Sequence, residues 1–136
     1  MMVKLIVGNK GTGKTKTLIE MVNEAVEKSN GAVVCLEKGE KLRYDVKYQA
    51  RLIDVSEYGI AGADQLYSFV CGVYASNHDI THIFIDSAMK ICDNTVEGLS
   101  SFLRRISAIV NKAGIELVLT SSVSEDELPD DIKSLL

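Results

Sequence analysis

The sequence predicts an α/β fold in which a mostly parallel sheet of five strands lies between two layers of helices. Two observations favour it. Short apolar runs with many β-branched residues, typical of strands that are buried on both faces, recur five times in 136 residues. Between most of these runs lie longer segments whose apolar residues follow helical spacing. This alternation predicts an open three-layer α/β/α sandwich rather than a barrel or a bundle.

The elements follow one another in a simple order. The predicted strands cover residues 3–7, 32–36, 50–55, 80–86 and 115–120. The first two predicted helices cover 15–26 and 64–75, and the third begins at the capping-box pattern Asn94-x-x-Glu97 and ends at Gly114. The polar segment 38–49 is predicted to be a loop or a short extra hairpin around 42–46. The acidic tail beyond residue 122 is predicted to hold one short final helix.

The composition is that of an ordinary globular domain. Apolar residues make up 46% and charged residues 25%, and the net charge of −4 does not support a nucleic-acid surface. Because we find no apolar run of membrane-spanning length and no signal-peptide pattern at the start, we expect no membrane partner and a cytoplasmic location. The cysteines are odd in number and far apart, so we expect reduced thiols at Cys35, Cys71 and Cys92.

A glycine-rich segment connects the first strand to the first helix. Its residues, GNKGTGKT, match the phosphate-binding pattern G-x-x-x-x-G-K-[ST]. Backbone amides in such a loop form a concave anion site, and the following helix directs its positive dipole end at the same place. Lys14 is then expected to reach the β- and γ-phosphates and the Thr15 hydroxyl to bind Mg²⁺. The predicted nucleotide-binding residues are Gly8, Asn9, Lys10, Gly11, Thr12, Gly13, Lys14, Thr15 and Lys16.

Polar residues end three of the later strands, where ligands of open parallel sheets bind. They are Glu37, Asp86 and the segment 120–122. The run Ile-Phe-Ile-Asp that ends at Asp86 matches the Walker B pattern, so Asp86 is predicted to hold Mg²⁺ directly or through a water.

With these motifs the chain resembles P-loop NTPases of the additional-strand, RecA-like group. It also resembles short bacterial ATP-binding proteins that are sometimes labelled PilT-like. The resemblance implies one P-loop nucleotide-binding domain over residues 1–136, with Lys14, Glu37 and Asp86 as catalytic residues. Many members carry a glutamate immediately after the Walker B aspartate, but this chain has Ser87 there. RecA and its near relatives instead place the water-activating glutamate at the position of Glu37.

The same resemblance implies that the segment 120–122 is a polar sensor near the γ-phosphate, with Thr120 or Ser121 as the sensing residue. It implies no recombinase or helicase activity, because the further strands and DNA-binding loops of recombinases are not found here. Glu40 is the alternative to Glu37. Arg104 and Arg105 are expected to have surface roles rather than to act as arginine fingers, and the sequence assigns no role to Arg43 or Arg51.

We therefore expect an Mg²⁺-dependent ATP-binding protein that hydrolyses ATP slowly or when a protein partner or second copy completes the site. Two alternatives remain: a non-hydrolysing, ATP-gated binding module and a small-molecule kinase of the nucleoside type. ATP is favoured over GTP because residues 120–123 do not match the Asn/Thr-Lys-x-Asp element of GTP-specific proteins. His78 and His82 are not expected to bind metal, and the five tyrosines are expected to be packing or rim residues.

Overall fold

The computed structural model describes residues 2–136, and over that range it forms an α/β fold. The strands are β1 (Val3–Val7), β2 (Ala32–Glu37), β3 (Arg51–Asp54), β4 (Ile80–Ile85) and β5 (Glu116–Ser121). The helices are α1 (Lys14–Lys28), α2 (Ala63–Ser76), α3 (Ala88–Ile91), α4 (Val96–Ala113) and α5 (Asp130–Lys133). Short 3₁₀ turns cover Val55–Tyr58 and Glu125–Glu127. The five predicted strands, the three long helices and the short final helix are confirmed.

All strand pairs within the described residues are parallel, and the strand order is β1-β5-β4-β2-β3. Strand β5 therefore lies between β1 and β4, with Val7 opposite Ser121 and Ile85 opposite Leu119. Since parallel strands end on one side of a sheet, the polar residues that follow β1, β2, β4 and β5 are brought to a common edge.

Helices cover both faces of the sheet and bury its apolar side chains. On one face Leu18 and Val22 of α1 pack with Phe84, and the turns after β2 add the buried side chains of Leu42 and Val46. The other face is covered by α2, α3, α4 and α5, whose apolar residues form one cluster with the inward side chains of β1, β4 and β5. Burial on both faces explains why the strands are continuous apolar runs.

Three local features differ from the sequence prediction or go beyond it. The predicted capping role of Asn94 is wrong: Thr95 is the N-cap of α4, and its hydroxyl accepts a hydrogen bond from the Gly98 amide at 3.0 Å. A cap needs an extended backbone, which Thr95 has, whereas Asn94 lies in the left-handed region with φ of 53°. The short helix α3 was not predicted. The segment between β2 and β3 consists of turns and is a loop rather than a hairpin.

The tail of the chain contacts the edge of the sheet. The Leu5 amide of β1 donates a hydrogen bond to the Leu135 carbonyl at 2.8 Å.

Among the described residues no helix is both long and apolar enough to cross a membrane.

Candidate functional site

A cavity of about 340 Å³ lies at the edge of the sheet where the strands end. Its walls come from the glycine-rich loop and the start of α1, from the ends of β2, β4 and β5, and from α3. The lining residues are Lys10, Gly11, Gly13, Lys14, Thr15, Lys16, Glu37, Lys38, Lys41, Asp86, Ser87, Lys90, Thr120 and Ser122. The structure therefore brings together the predicted residues Lys14, Thr15, Glu37, Asp86 and Thr120.

The glycine-rich loop has the tight backbone that the motif requires. Gly11 and Gly13 have φ of 85° and 87°, in the left-handed region that residues with a Cβ rarely adopt. Within the loop the Thr12 hydroxyl donates to the Asn9 carbonyl at 2.7 Å. Helix α1 begins directly after Gly13, so the first amides of a helix of 15 residues have no partner within the helix and border the cavity. This combination favours an anionic ligand.

Lys14 is held across the loop and is only 9% exposed. Its ammonium group donates to the Asn9 carbonyl at 2.8 Å. The charge is thereby positioned at the cavity wall, where it can neutralise a phosphate oxygen.

Asp86 is the centre of a polar cluster below the loop. Its Oδ1 accepts from the Thr15 hydroxyl at 3.1 Å and from the Thr120 hydroxyl at 2.7 Å. Thr120 in turn accepts from the Ser87 amide at 2.8 Å. The Asp86 amide donates to Leu36 at 2.9 Å, which extends the pairing between β4 and β2 by one residue. Residues 71 positions apart in the chain are thus in direct contact.

The cluster provides oxygen ligands of the kind that Mg²⁺ prefers. A carboxylate and a hydroxyl from separate elements are in contact, and both residues line the cavity, although Asp86 is only 8% exposed. Since Mg²⁺ is usually held by one or two protein oxygens together with phosphate oxygens, Thr15 and Asp86 fit such an ion.

Glu37 ends β2 beside this cluster and lines the same cavity. Only 3% of the residue is exposed, and its two oxygens accept from the Lys41 and Leu42 amides at 3.0 and 3.3 Å. Burial raises the pKa of the Glu37 carboxyl; the two backbone hydrogen bonds oppose that rise, and the charges of Asp86 and Asp54 add to it. Glu37 therefore lines the cavity and also holds the loop that follows β2.

Two of the arginines lie in ion pairs away from the cavity. Arg104 donates to Asp131 at 2.8 Å. Arg105 donates to Asp64 at 2.7 Å and lies over the Tyr67 ring at 3.9 Å from its centroid. Neither lines the cavity, which agrees with the surface roles expected for them.

Glu40 does not line the cavity that holds Lys14, Thr15 and Asp86. It lies with Asp54 and Glu57 in a small group of acidic side chains, in a separate pocket that Glu37 also lines, and Arg43 contacts it at 3.5 Å. Arg51 is exposed and does not line the cavity. Neither Glu40 nor these arginines are brought to the site.

The histidines and tyrosines lie outside the cavity lining as well. His82 is 2.9 Å from Glu116 through Nε2, and the His78 ring stacks on Tyr74. Tyr67 and Tyr74 pack against the core as expected. Tyr44 and Tyr48 do not pack against the core, because they are 87% and 91% exposed.

Three lysines outside the glycine-rich loop line the cavity and were not predicted as site residues. Lys38 and Lys41 follow β2, and Lys90 lies one helical turn after Asp86 in α3. The signal was present: Lys38 follows Glu37 directly, and a residue that follows a strand end of a parallel sheet is brought to the ligand edge. Ser87 and Ser122 also line the cavity and follow strand ends in the same way.

No protein-family model and no curated protein matches this chain.

Proposed function

We propose that this chain is an Mg²⁺-dependent ATP-binding protein with a P-loop NTPase fold of the additional-strand group, and that it hydrolyses ATP slowly. The observation that carries the proposal is the contact of 3.1 Å between the Thr15 hydroxyl and Asp86, beside a glycine-rich loop that leads into α1. The loop and a metal-binding carboxylate need to be this close if one Mg²⁺·triphosphate is to contact both.

The strand order supports the same assignment. The strand that carries the loop and the strand that ends at Asp86 are separated by one strand, β5. An extra strand at this place is the feature for which the additional-strand group is named. The polar end of β5, at Thr120, consequently lies next to Asp86.

Each residue has a role that follows from its chemistry. Loop amides and Lys14 bind the phosphate oxygens, and Thr15 and Asp86 hold the metal. Bound Mg²⁺ would neutralise charge that develops on the β- and γ-phosphate oxygens. Glu37 orients the attacking water and accepts its proton. A carboxylate has about four acceptor sites and the Lys41 and Leu42 amides use two, so Glu37 can still bind a water.

A raised pKa also suits Glu37 to this role. A general base is most effective when its pKa lies closer to the working pH than that of an ordinary carboxyl.

The free thiols of the three cysteines support a cytoplasmic location, where thiols stay reduced.

The second candidate function is a binding module that changes shape with ATP but hardly hydrolyses it. The observation that favours it is again at Glu37, because both of its oxygens already hold the loop after β2. In that case Glu37 would connect the cavity to this loop instead of activating water.

The first experiment measures binding by isothermal titration calorimetry with Mg²⁺ and a non-hydrolysable ATP analogue. We expect binding to the wild type and at least tenfold weaker binding to Lys14→Ala, since removing a positioned charge costs more than about 1.4 kcal/mol. Lys112→Ala, on the exposed end of α4, is the matched control and should bind like the wild type. Absence of binding heat in the wild type would refute the proposal.

The second experiment separates the two candidates by phosphate release from ATP. If Glu37 activates water, Glu37→Gln should lower kcat at least tenfold while the analogue still binds. An unchanged rate in this variant would rule out the catalytic role and favour the binding module.

A further inference from the structure

The cavity carries more positive charge than a metal–triphosphate complex requires. Its walls contain six lysines against two carboxylates, a net charge of +4, although the whole chain has a net charge of −4. Over residues 2–136 none of these six lysines forms an ion pair with a carboxylate within the cavity or outside it. Mg²⁺·ATP has a charge of about −2 and would leave part of this positive charge uncompensated.

The lysines form two groups that come from different parts of the chain. Lys10, Lys14 and Lys16 belong to the glycine-rich loop and the first turn of α1, where the triphosphate would bind. Lys38, Lys41 and Lys90 come from the loop after β2 and from α3. The second group is exposed and comes from elements other than the glycine-rich loop, so it can bind an anion that the loop does not hold.

A second cavity of about 220 Å³ adjoins the first at two of these lysines. Lys38 and Lys90 line both cavities. The remaining walls of the second cavity are largely apolar and include Ile60, Ala61 and Ile91. A ligand that lies across the junction would therefore meet two ammonium groups at one end and aliphatic side chains at the other.

We propose that Lys38 and Lys90 form an anion subsite for a second small ligand, a phosphate monoester whose apolar part occupies the cavity lined by Ile60, Ala61 and Ile91. The proposal rests on the proposed function, because it assigns the loop side of the first cavity to the nucleotide. A phosphate dianion matches the uncompensated charge, and a small ring or branched chain matches the apolar walls.

The test uses phenyl phosphate as the probe, titrated into protein that is saturated with Mg²⁺ and the ATP analogue. We expect binding to the wild type that weakens as salt rises, because exposed charges are screened. The double variant Lys38→Ala/Lys90→Ala should bind the probe at least tenfold more weakly, since each lysine contacts a dianion. Lys112→Ala is the control and should bind like the wild type, and Lys38→Gln/Lys90→Gln repeats the test with side chains of more similar length.

Inorganic phosphate tests the apolar half of the site. It should bind more weakly than phenyl phosphate, because it leaves the aliphatic walls uncovered. Equal affinity for both probes would contradict the assignment of the second cavity, and an unchanged affinity in both double variants would overturn the subsite itself.

The outcome can be told apart from failure of the proposed function. Phenyl phosphate is also titrated into nucleotide-free Lys14→Ala protein, in which the loop no longer carries its central charge. If this variant binds phenyl phosphate and loses that binding when Lys38 and Lys90 are also replaced, the subsite is supported even if the ATP analogue does not bind. Analogue binding without any probe binding overturns the subsite and leaves the nucleotide assignment intact.

Discussion

The hydroxyl of Thr120 should contribute a large share of the stability of this protein. Thr120 is 1% exposed, donates to Asp86 at 2.7 Å and accepts from the Ser87 amide at 2.8 Å. Thr120→Val retains the shape of the side chain, so it creates no cavity. It removes both hydrogen bonds. Asp86 keeps its contact with Thr15, whereas the Ser87 amide loses its acceptor.

The expected magnitude follows from these two losses. A hydrogen bond to a charged group contributes about 1.5–3 kcal/mol, and loss of the acceptor of the part-buried Ser87 amide costs about 1 kcal/mol, the lower end of the range for an unpaired donor. Allowing for the remaining Thr15 contact, we expect Thr120→Val to lower the free energy of unfolding by about 2–4 kcal/mol. That change corresponds to a fall in Tm of roughly 6–12 °C for a chain of this size.

Urea unfolding followed by circular dichroism measures the effect. The control is Thr120→Ser, which keeps the hydroxyl and loses one buried methyl group, at a cost of about 1 kcal/mol. Both variants should unfold with the wild-type m-value. If Thr120→Val is as stable as Thr120→Ser, the two hydrogen bonds do not have the strength that their geometry indicates, and the reasoning is refuted.

Three further predictions concern a cap, a thiol and a carboxyl. Thr95→Ala should lower the free energy of unfolding by about 1 kcal/mol in urea unfolding, because α4 loses its N-cap. Asn94→Gly should not lower it, because glycine tolerates the left-handed backbone at that position. In native protein a thiol reagent should react quickly with the half-buried Cys71 and with the other two cysteines only after unfolding, since burial raises the pKa of Cys92 to about 12. Burial also raises the pKa of Glu37 above 4.5, so ionisation of its carboxyl lowers the free energy of unfolding. The Tm of the wild type relative to that of Glu37→Gln should therefore fall as the pH rises above about 4.5.

Each of these predictions has an outcome that contradicts it. Equal stability of Thr95→Ala and wild type would show that the cap contributes nothing to α4. Reaction of three thiols at the same rate in the native state would contradict the burial of Cys35 and Cys92. For Glu37, a difference in Tm that does not change with pH would show that its carboxyl ionises alike in the folded and unfolded chain.

The strands and the glycine-rich loop were predictable because local pattern determines them. Strands covered on both faces must be apolar along their length, so five such runs located the sheet. The meeting of Thr15 and Asp86 was predictable from topology, since both follow a strand and parallel strands end at one edge. Strand order was not predicted, because it depends on which helix packs on which face.

The remaining features depend on contacts that local pattern does not encode. Whether Asn94 or Thr95 caps α4 is decided by the backbone angles of the preceding turn, and both residue types are good caps. Glu37 could be predicted to end a strand, but its hydrogen bonds to the Lys41 and Leu42 amides require the fold of the loop. That Lys38 and Lys90 line the same two cavities likewise depends on the folded structure.

The position of β5 between the loop-bearing strand and the strand of Asp86 has a mechanical consequence. Two interstrand spacings, about 9.6 Å, separate β1 from β4, so hydrogen bonding within the sheet determines how far apart the two halves of the site begin. A proline in the middle of β5 would remove an interstrand hydrogen bond and disturb that separation, although the residue it replaces does not line the cavity. Damage to nucleotide affinity from such a remote substitution would therefore be a geometric effect of the sheet, transmitted through its backbone.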